Sequence, residues 1–147
     1  MGELKAIWLK RAKGGPMDPV SEATLVANKG LLGNANQGGK RQVTIINRDV
    51  WQDRIDLLGV EADPARRRAN LMVSGDIDLT DSRGKVLQIG SSRIRIYGET
   101  KPCEQMEAVA PGLREMLYDN WGGGAFGEVL ADGQISVGDP VVWAEDE

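Results

Sequence analysis

The apolar residues of this chain occur in short runs that are separated by glycine, proline and small polar residues. Runs at residues 4–9, 23–27 and 43–46 have the length and composition of strands, and the last is rich in β-branched residues, as buried strands are. Similar runs predict further strands at residues 70–73, 86–89, 93–96, 126–130, 134–136 and 141–143. Gly90-Ser91-Ser92 predicts a hairpin between residues 86–89 and 93–96, and Asp132-Gly133 predicts another between residues 126–130 and 134–136.

A first segment of helical spacing follows the strand at residues 43–46. Trp51, Ile55 and Leu58 recur at intervals of four and three residues, which is the spacing of one helix face. Asn47 is suited to cap the start of this helix and Gly59 to end it. Beyond it, Asp63-Pro64 predicts a further short turn of helix through residues 66–68.

A second helical segment follows Cys103. Its apolar face consists of Met106, Ala110, Leu113 and Leu117, and we expect this face to pack into the core. Pro111 is predicted to divide the segment into two helices, because proline removes a backbone donor and clashes with the preceding turn.

These elements predict a mainly β fold. Some nine short strands with two helical insertions favour a closed or nearly closed β-barrel, because closure removes exposed strand edges. The 19 glycines along the chain supply the turns that such a fold needs. A chain of 147 residues forms one such unit, so we expect a single domain over residues 1–147.

Composition limits the function. The formal net charge of −4 argues against a nucleic-acid-binding protein, because phosphate contacts need a basic excess. No run approaches the length of a membrane helix and the N-terminus lacks the apolar core of a signal peptide, so no membrane role is expected. One cysteine cannot form an internal disulfide, and a reducing, cytoplasmic location is predicted.

Cys103 is the first candidate for chemistry, as the only cysteine in a chain without histidine. It lies between a predicted strand and a predicted helix, two residues after Lys101, where a thiolate can be stabilised. The absence of histidine excludes Cys–His and Ser–His–Asp catalysis and histidine-rich metal sites. Two readings remain from residue types alone: a functional thiolate that binds a metal or transfers sulfur, and a small buried apolar side chain.

Basic residues form the second candidate group, comprising Arg41, Lys101 and the cluster at residues 66–68. Guanidinium groups match phosphate and carboxylate in bidentate geometry, although such a run is also typical of a solvated face. Arg68 and Asn70 stand just before a strand, where a pair of side chains can point into a pocket. The glycine-rich segment at residues 30–40 lacks the Gly-Lys-Ser/Thr of a phosphate-binding loop.

Several motifs occur in an order that resembles the MOSC domain, a family named for the C-terminal part of molybdenum cofactor sulfurases. The resemblance extends from residue 30 to residue 143 and rests on an ordered set of segments. They are Arg41-Gln42-Val43-Thr44, residues 68–75, residues 87–90, Pro102-Cys103, residues 123–130 and residues 133–139. It implies a β-barrel with helical insertions and a role in molybdenum-cofactor or sulfur chemistry.

The resemblance also implies roles for individual residues. Cys103 would be the catalytic thiolate and the protein ligand of molybdenum, whose other sulfur ligands belong to the pterin dithiolene. Arg68 and Asn70 would hold the pterin or its phosphate, Thr100 and Lys101 would line the pocket, and Arg41 is assigned there on a shorter motif. The protein would then reduce N-hydroxylated compounds with electrons from a partner protein.

Two departures from the family pattern stand out. Many relatives have Gly-Asp followed by histidine where this chain has Gly33-Asn34-Ala35-Asn36, and many have an arginine where Trp121 precedes the glycines. Two further hypotheses stay open. Cys103 could instead transfer sulfur as a persulfide received from a cysteine desulfurase that uses pyridoxal phosphate. Alternatively, the barrel could be a binding module in which Cys103 is merely packed.

Overall fold

The structure is a computed structural model that describes residues 2–144. Its strands within that range are β1 (Gly2–Lys10), β2 (Met17–Val20), β3 (Glu22–Val26), β4 (Gly30–Leu31), β5 (Val43–Asn47), β6 (Leu71–Ser74), β7 (Val86–Ile89), β8 (Ser92–Glu99), β9 (Ala125–Ala131), β10 (Gly133–Ser136) and β11 (Pro140–Trp143). The helices are α1 (Arg48–Leu58), α2 (Glu104–Val109) and α3 (Leu113–Tyr118), with a 3-10 helix at Pro64–Arg67.

Seven strands close into a barrel in the order β1-β6-β5-β9-β8-β7-β11, and β11 pairs again with β1. The closing contact places Gly2 opposite Val141 and Glu3 opposite Pro140. The β5–β6 pair is parallel, and the other pairs in the ring are antiparallel. β2 extends the sheet along the second half of β1, and β10, β3 and β4 form a small separate sheet. The mainly β, closed-barrel prediction is confirmed.

The barrel interior is filled by side chains that alternate along the strands. In β8, Ile94 and Ile96 are buried while Arg95 and Tyr97 point outward, which is the period of two that a half-buried strand requires. Leu4, Ile45 and other aliphatic side chains from all seven barrel strands belong to the same buried cluster. The interior is therefore a packed apolar core, and a binding site must lie at an end or on the outside.

The two helical insertions join neighbouring parts of the barrel. The β5–β6 connection contains α1 and the 3-10 helix, and the β8–β9 connection contains α2 and α3. The predicted cap of α1 is confirmed, since the Asn47 side chain accepts hydrogen bonds from the backbone of Asp49 (2.8 Å) and Val50 (3.1 Å). Gly59 ends α1 in the left-handed conformation, with φ of 68°.

The apolar face predicted after Cys103 is also confirmed. Its members are buried and form a second core with Trp51 and Ile55 of α1, so the two insertions pack on each other. Helix α2 ends at Val109 and α3 begins at Leu113, with Pro111 in the break between them. No helix within residues 2–144 is both long enough and apolar enough to cross a membrane.

The predicted hairpin at Asp132-Gly133 is wrong, because β10 pairs with β3 and not with β9. Asp132 accepts a hydrogen bond from the backbone of Ala27 at 2.6 Å, which ties this corner to the end of β3. A side chain on Gly133 would lie 2.9 Å from Oγ of Ser91 and 3.1 Å from Cβ of Ser92, so the chain leaves β9 at a tightly packed position. The hairpin between β7 and β8 forms as predicted.

Candidate functional site

The candidate site lies where several connections meet at one end of the barrel. Thr100 to Cys103 follow β8, Gly123 precedes β9, and Arg67 and Arg68 precede β6. The backbone N–H of Thr100 donates to the carbonyl of Gly124 at 2.9 Å, so the β8–β9 pairing continues to the edge of the site. Strand pairing therefore brings together segments that are far apart in sequence.

A cavity of about 610 Å³ opens at this point. Six of its lining residues are cationic, and one is the thiol of Cys103; the cations are Lys10, Lys13, Arg41, Arg67, Arg68 and Lys101. No aspartate or glutamate lines it among the residues that the structure describes. A concave surface with this charge in a protein of net charge −4 attracts anions, because its positive potential is focused by low-dielectric walls.

Most of these cations have no carboxylate partner in the described part of the chain. Lys101 forms an ion pair with Glu99 at 3.2 Å. The other five cations of the cavity make no ion pair within residues 2–144. Within that range no carboxylate neutralises their charge, which suits the binding of an anion.

Arg67 is held in the cavity wall by hydrogen bonds to two backbone carbonyls. Its Nε donates to the carbonyl of Gly123 at 3.0 Å, and one terminal nitrogen donates to the carbonyl of Thr100 at 3.0 Å. Burial lowers the pKa of Arg67 from its ordinary value; the charge of Cys103 acts in the opposite direction, and Arg41 lowers the pKa further. Arginine still remains protonated at neutral pH, so Arg67 fixes a positive charge beside the thiol.

Cys103 is exposed in the cavity wall immediately before α2. Its side chain makes no capping hydrogen bond to the helix, while its carbonyl accepts from the backbone of Met106 at 2.9 Å. Pro102, which precedes it, is buried. The backbone is thus fixed on both sides of Cys103 while the thiol faces solvent, so the interpretation of Cys103 as a packed apolar side chain is wrong.

Thr100 and Lys101 are neighbours in the sequence but differ in solvent exposure. Thr100 is buried and its hydroxyl donates to the carbonyl of Gly123 at 2.7 Å, which closes the wall of the cavity. Lys101 is exposed, and its ammonium lies 4.0 Å from the ring centre of Tyr118. Both residues line the cavity, but the charged end of Lys101 is drawn toward Tyr118 and Glu99.

Arg41 and Arg68 line the cavity, but Asn70 does not. Arg68 has a left-handed backbone with φ of 63°, and this interrupts the alternation that would place Arg68 and Asn70 on one side. The Arg68 guanidinium donates to the carbonyl of Gly15 at 2.6 Å.

Asn70 lies below the cavity in a buried hydrogen-bond network. Its amide oxygen accepts from the backbone N–H and the hydroxyl of Thr44, both at 3.2 Å. Its amide nitrogen donates to the carbonyl of Trp8 and to Oδ1 of Asn34, again at 3.2 Å. With its donors and acceptor engaged by the protein, Asn70 supports the floor of the site, whereas its neighbours Thr44 and Ala69 line the cavity.

A sequence profile of the MOSC domain matches residues 23–142. The chain belongs to the MOSC domain family. Three solved structures share the MOSC fold seen here. The YuaD protein from Bacillus subtilis has a TM-score of 0.79 at 18% identity, covering 96% of this chain and 94% of that one.

The other two are YiiM proteins. YiiM from Geobacillus stearothermophilus has a TM-score of 0.74 at 14% identity, covering 99% of this chain and 76% of that one. YiiM from Escherichia coli has a TM-score of 0.72 at 17% identity, covering 99% and 71%. No curated protein sequence matches this MOSC chain significantly.

The two departures from the MOSC pattern have structural explanations. Asn34 is buried, and its Oδ1 accepts from the backbone of Lys10 at 2.9 Å as well as from Asn70, so it is part of the support beneath the cavity. Trp121 has a left-handed backbone with φ of 60° and packs against the barrel core. No cation stands at that position, but Arg67 reaches the nearby carbonyl of Gly123 from another segment.

The sequence interpretation assigned no individual role to three cations of the cavity, namely Arg67, Lys10 and Lys13. The sequence did carry a signal for Arg67, since this residue lies in the basic cluster beside Arg68. The two lysines had none, because they lie at the end of β1 and in the following turn, far from the family motifs. Pairing of β1 with β6, which sets Ile7 opposite Leu71, brings them to the same cavity as the thiol.

Proposed function

We propose that this MOSC protein binds the molybdenum cofactor, with Cys103 as the thiolate ligand of the metal. The observation that supports this is the exposed thiol in a cavity where five of the six lining cations have no carboxylate partner within residues 2–144. A pterin cofactor has both groups that such a cavity suits: an anionic phosphate and a metal that binds soft sulfur ligands.

The residues of the cavity fit this group. Arg41, Arg67 and Arg68 offer guanidinium groups for the phosphate, and Lys10 and Lys13 add charge from the facing segment. Gly123 keeps the wall thin, because a Cβ there would collide with the Thr100 carbonyl and lie 3.0 Å from the Arg67 guanidinium. When bound, the cofactor would supply two-electron redox chemistry at the metal, with the dithiolene and Cys103 as its sulfur ligands.

The reaction that we propose is reduction of an N-hydroxylated compound. The N–OH bond is replaced by N–H, and two electrons and two protons are consumed as water is released. The protons come from solvent, to which the Cys103 side of the cavity is open. The electrons come from an electron-transfer protein, because no flavin, haem or iron–sulfur motif occurs in the sequence. The role of Arg67 is to hold a fixed positive charge beside the thiol and to keep its two neighbouring segments together.

The test is elemental analysis of protein purified from a host that makes the cofactor, together with intact mass. Stoichiometric molybdenum in the wild type and its loss in Cys103→Ser would support the proposal. Arg114→Ser, at an exposed position of α3, is the control and should retain the metal. Absence of molybdenum from the wild type would refute the proposal.

The exposure of Cys103 also favours a second function, that of a sulfur carrier. The Cys103 thiolate would attack the outer sulfur of a desulfurase persulfide, forming Cys103 persulfide and releasing the donor thiolate. The same intact-mass experiment tests it, since a persulfide adds about 32 Da without any metal. A wild-type protein with neither signal, whose thiol resists alkylation, would contradict both functions.

A further inference from the structure

A second depression adjoins the cationic cavity on the outer side of α2. Its volume is about 430 Å³, which suits a ring-sized ligand. The apolar part of its wall is formed by Met17, Ala65, Ala108 and Val109, and four polar or charged residues complete the lining. We call this depression the apolar groove. It lies between β2, the 3-10 helix and α2.

The apolar groove is continuous with the candidate site. Arg68 and Gln105 line both the groove and the cationic cavity, so the two spaces meet at these side chains. Gln105, Ala108 and Val109 are spaced by three and four residues and therefore share one face of α2, which begins directly after Cys103. A molecule lying in the groove thus has its inner end at the opening beside the thiol.

The charges of the groove favour an acidic ligand group. The groove is lined by two guanidinium groups, of Arg66 and Arg68, and by one carboxylate, of Asp63. Asp63 accepts from the backbone of Ala65 at 2.9 Å, and Arg68 donates to the carbonyl of Gly15 at 2.6 Å. The Arg66 guanidinium is exposed and has no hydrogen bond or ion pair to the described residues.

We propose that the apolar groove binds the body of the substrate, and that the substrate is a ring-sized, apolar N-hydroxylated compound with an acidic group that pairs with Arg66. Its N–OH end then lies toward Cys103. This inference rests on the proposed function, because it specifies which N-hydroxylated compounds the site takes. It places substrate selection in the groove and cofactor binding in the cationic cavity.

The test compares benzamidoxime with 4-carboxybenzamidoxime on molybdenum-loaded protein, with reduced methyl viologen as electron donor. We expect Arg66→Gln to raise KM for the carboxylated compound about fivefold without changing kcat, the loss of one exposed charge pair. KM for benzamidoxime should stay within about twofold. Arg114→Gln is the matched control and should change neither value.

A second variant tests the groove without changing its charge. Ala108→Trp fills the space from an exposed helix position, so KM for both compounds should rise by about tenfold or more. Its molybdenum content should equal that of the wild type. Leu57→Trp adds the same side chain on α1, away from the groove, and should leave both KM values unchanged.

Binding is measured separately by NMR titration of 4-carboxybenzamidoxime into loaded and metal-free protein. Weaker binding to Arg66→Gln and Ala108→Trp than to the wild type is expected in both forms. Unchanged binding and KM in both variants would overturn the groove assignment, and equal KM changes for the two compounds in Arg66→Gln would overturn the acidic-group assignment. Absence of molybdenum from the wild type would be a failure of the proposed function, and the metal-free titration would still decide whether the groove binds the acid.

Discussion

Replacing Arg67 by methionine removes the contact that ties two walls of the site together. The guanidinium donates to the carbonyls of Gly123 and Thr100, each at 3.0 Å. A hydrogen bond that involves a charged group contributes roughly 1.5–3 kcal/mol. Methionine keeps the apolar stem but leaves the Thr100 carbonyl without this donor. The Gly123 carbonyl still accepts a hydrogen bond from the Thr100 hydroxyl. Removing a partly buried charge offsets some of the loss, so we expect the free energy of unfolding to fall by about 3 kcal/mol.

Urea denaturation followed by circular dichroism measures this change, and in a heating scan it corresponds to a fall in Tm of roughly 6–12 °C. Arg66→Met is the matched control: its side chain is exposed and makes no such contact, so its free energy should stay within about 0.5 kcal/mol of the wild type. If Arg67→Met were as stable as Arg66→Met, the two carbonyl contacts would not hold the site together and the argument would be refuted.

Three more substitutions separate support from ligand contact. Asn70→Ala should lower the free energy of unfolding by about 3 kcal/mol, because four hydrogen bonds of a buried side chain are lost. A stable variant with weaker cofactor binding would instead indicate direct ligand contact. Gly123→Ala should be destabilised by roughly 1–3 kcal/mol, since its Cβ collides with the Thr100 carbonyl, and wild-type stability in urea would contradict this clash. Cys103→Ser should retain its stability within about 0.5 kcal/mol in the same assay, because the thiol is exposed, and a larger loss would show a structural role.

The α1 and α2–α3 segments show why local patterns could be interpreted from the sequence. An asparagine before a helical apolar pattern and a glycine after it are physically suited to helix ends, and the structure has Asn47 and Gly59 there. Pro111 cannot donate a backbone hydrogen bond, so the division into α2 and α3 follows from one residue. Such features depend on neighbours within a few positions of the chain.

The prediction for Asn70 illustrates the opposite case. Because Asn70 lies two residues after Arg68, the two side chains were predicted to point the same way. Arg68 itself, however, has a left-handed backbone conformation, which interrupts the alternation between them. A shift of one position along a strand turns a side chain to the other face, so this outcome depended on a backbone conformation that arginine seldom adopts. The hairpin at Asp132-Gly133 was wrong because a suitable turn does not determine which strand the chain pairs with next.

The sequence alone predicted nine of the eleven strands found in residues 2–144, missing the short β2 and β4, together with the two ends of α1, the mainly β class and the position of the single thiol before a helix. Each of these depends on local periodicity or on a residue's own chemistry. The tertiary structure decided which strands are neighbours, including the closing contact of β1 with β11 and the parallel pair β5–β6. It also decided that Lys10, Lys13, Arg41 and Arg67 surround Cys103. Like charges that are far apart in the unfolded chain repel one another when folding brings them together. Burial of the apolar core outweighs that repulsion, and this balance depends on the whole barrel.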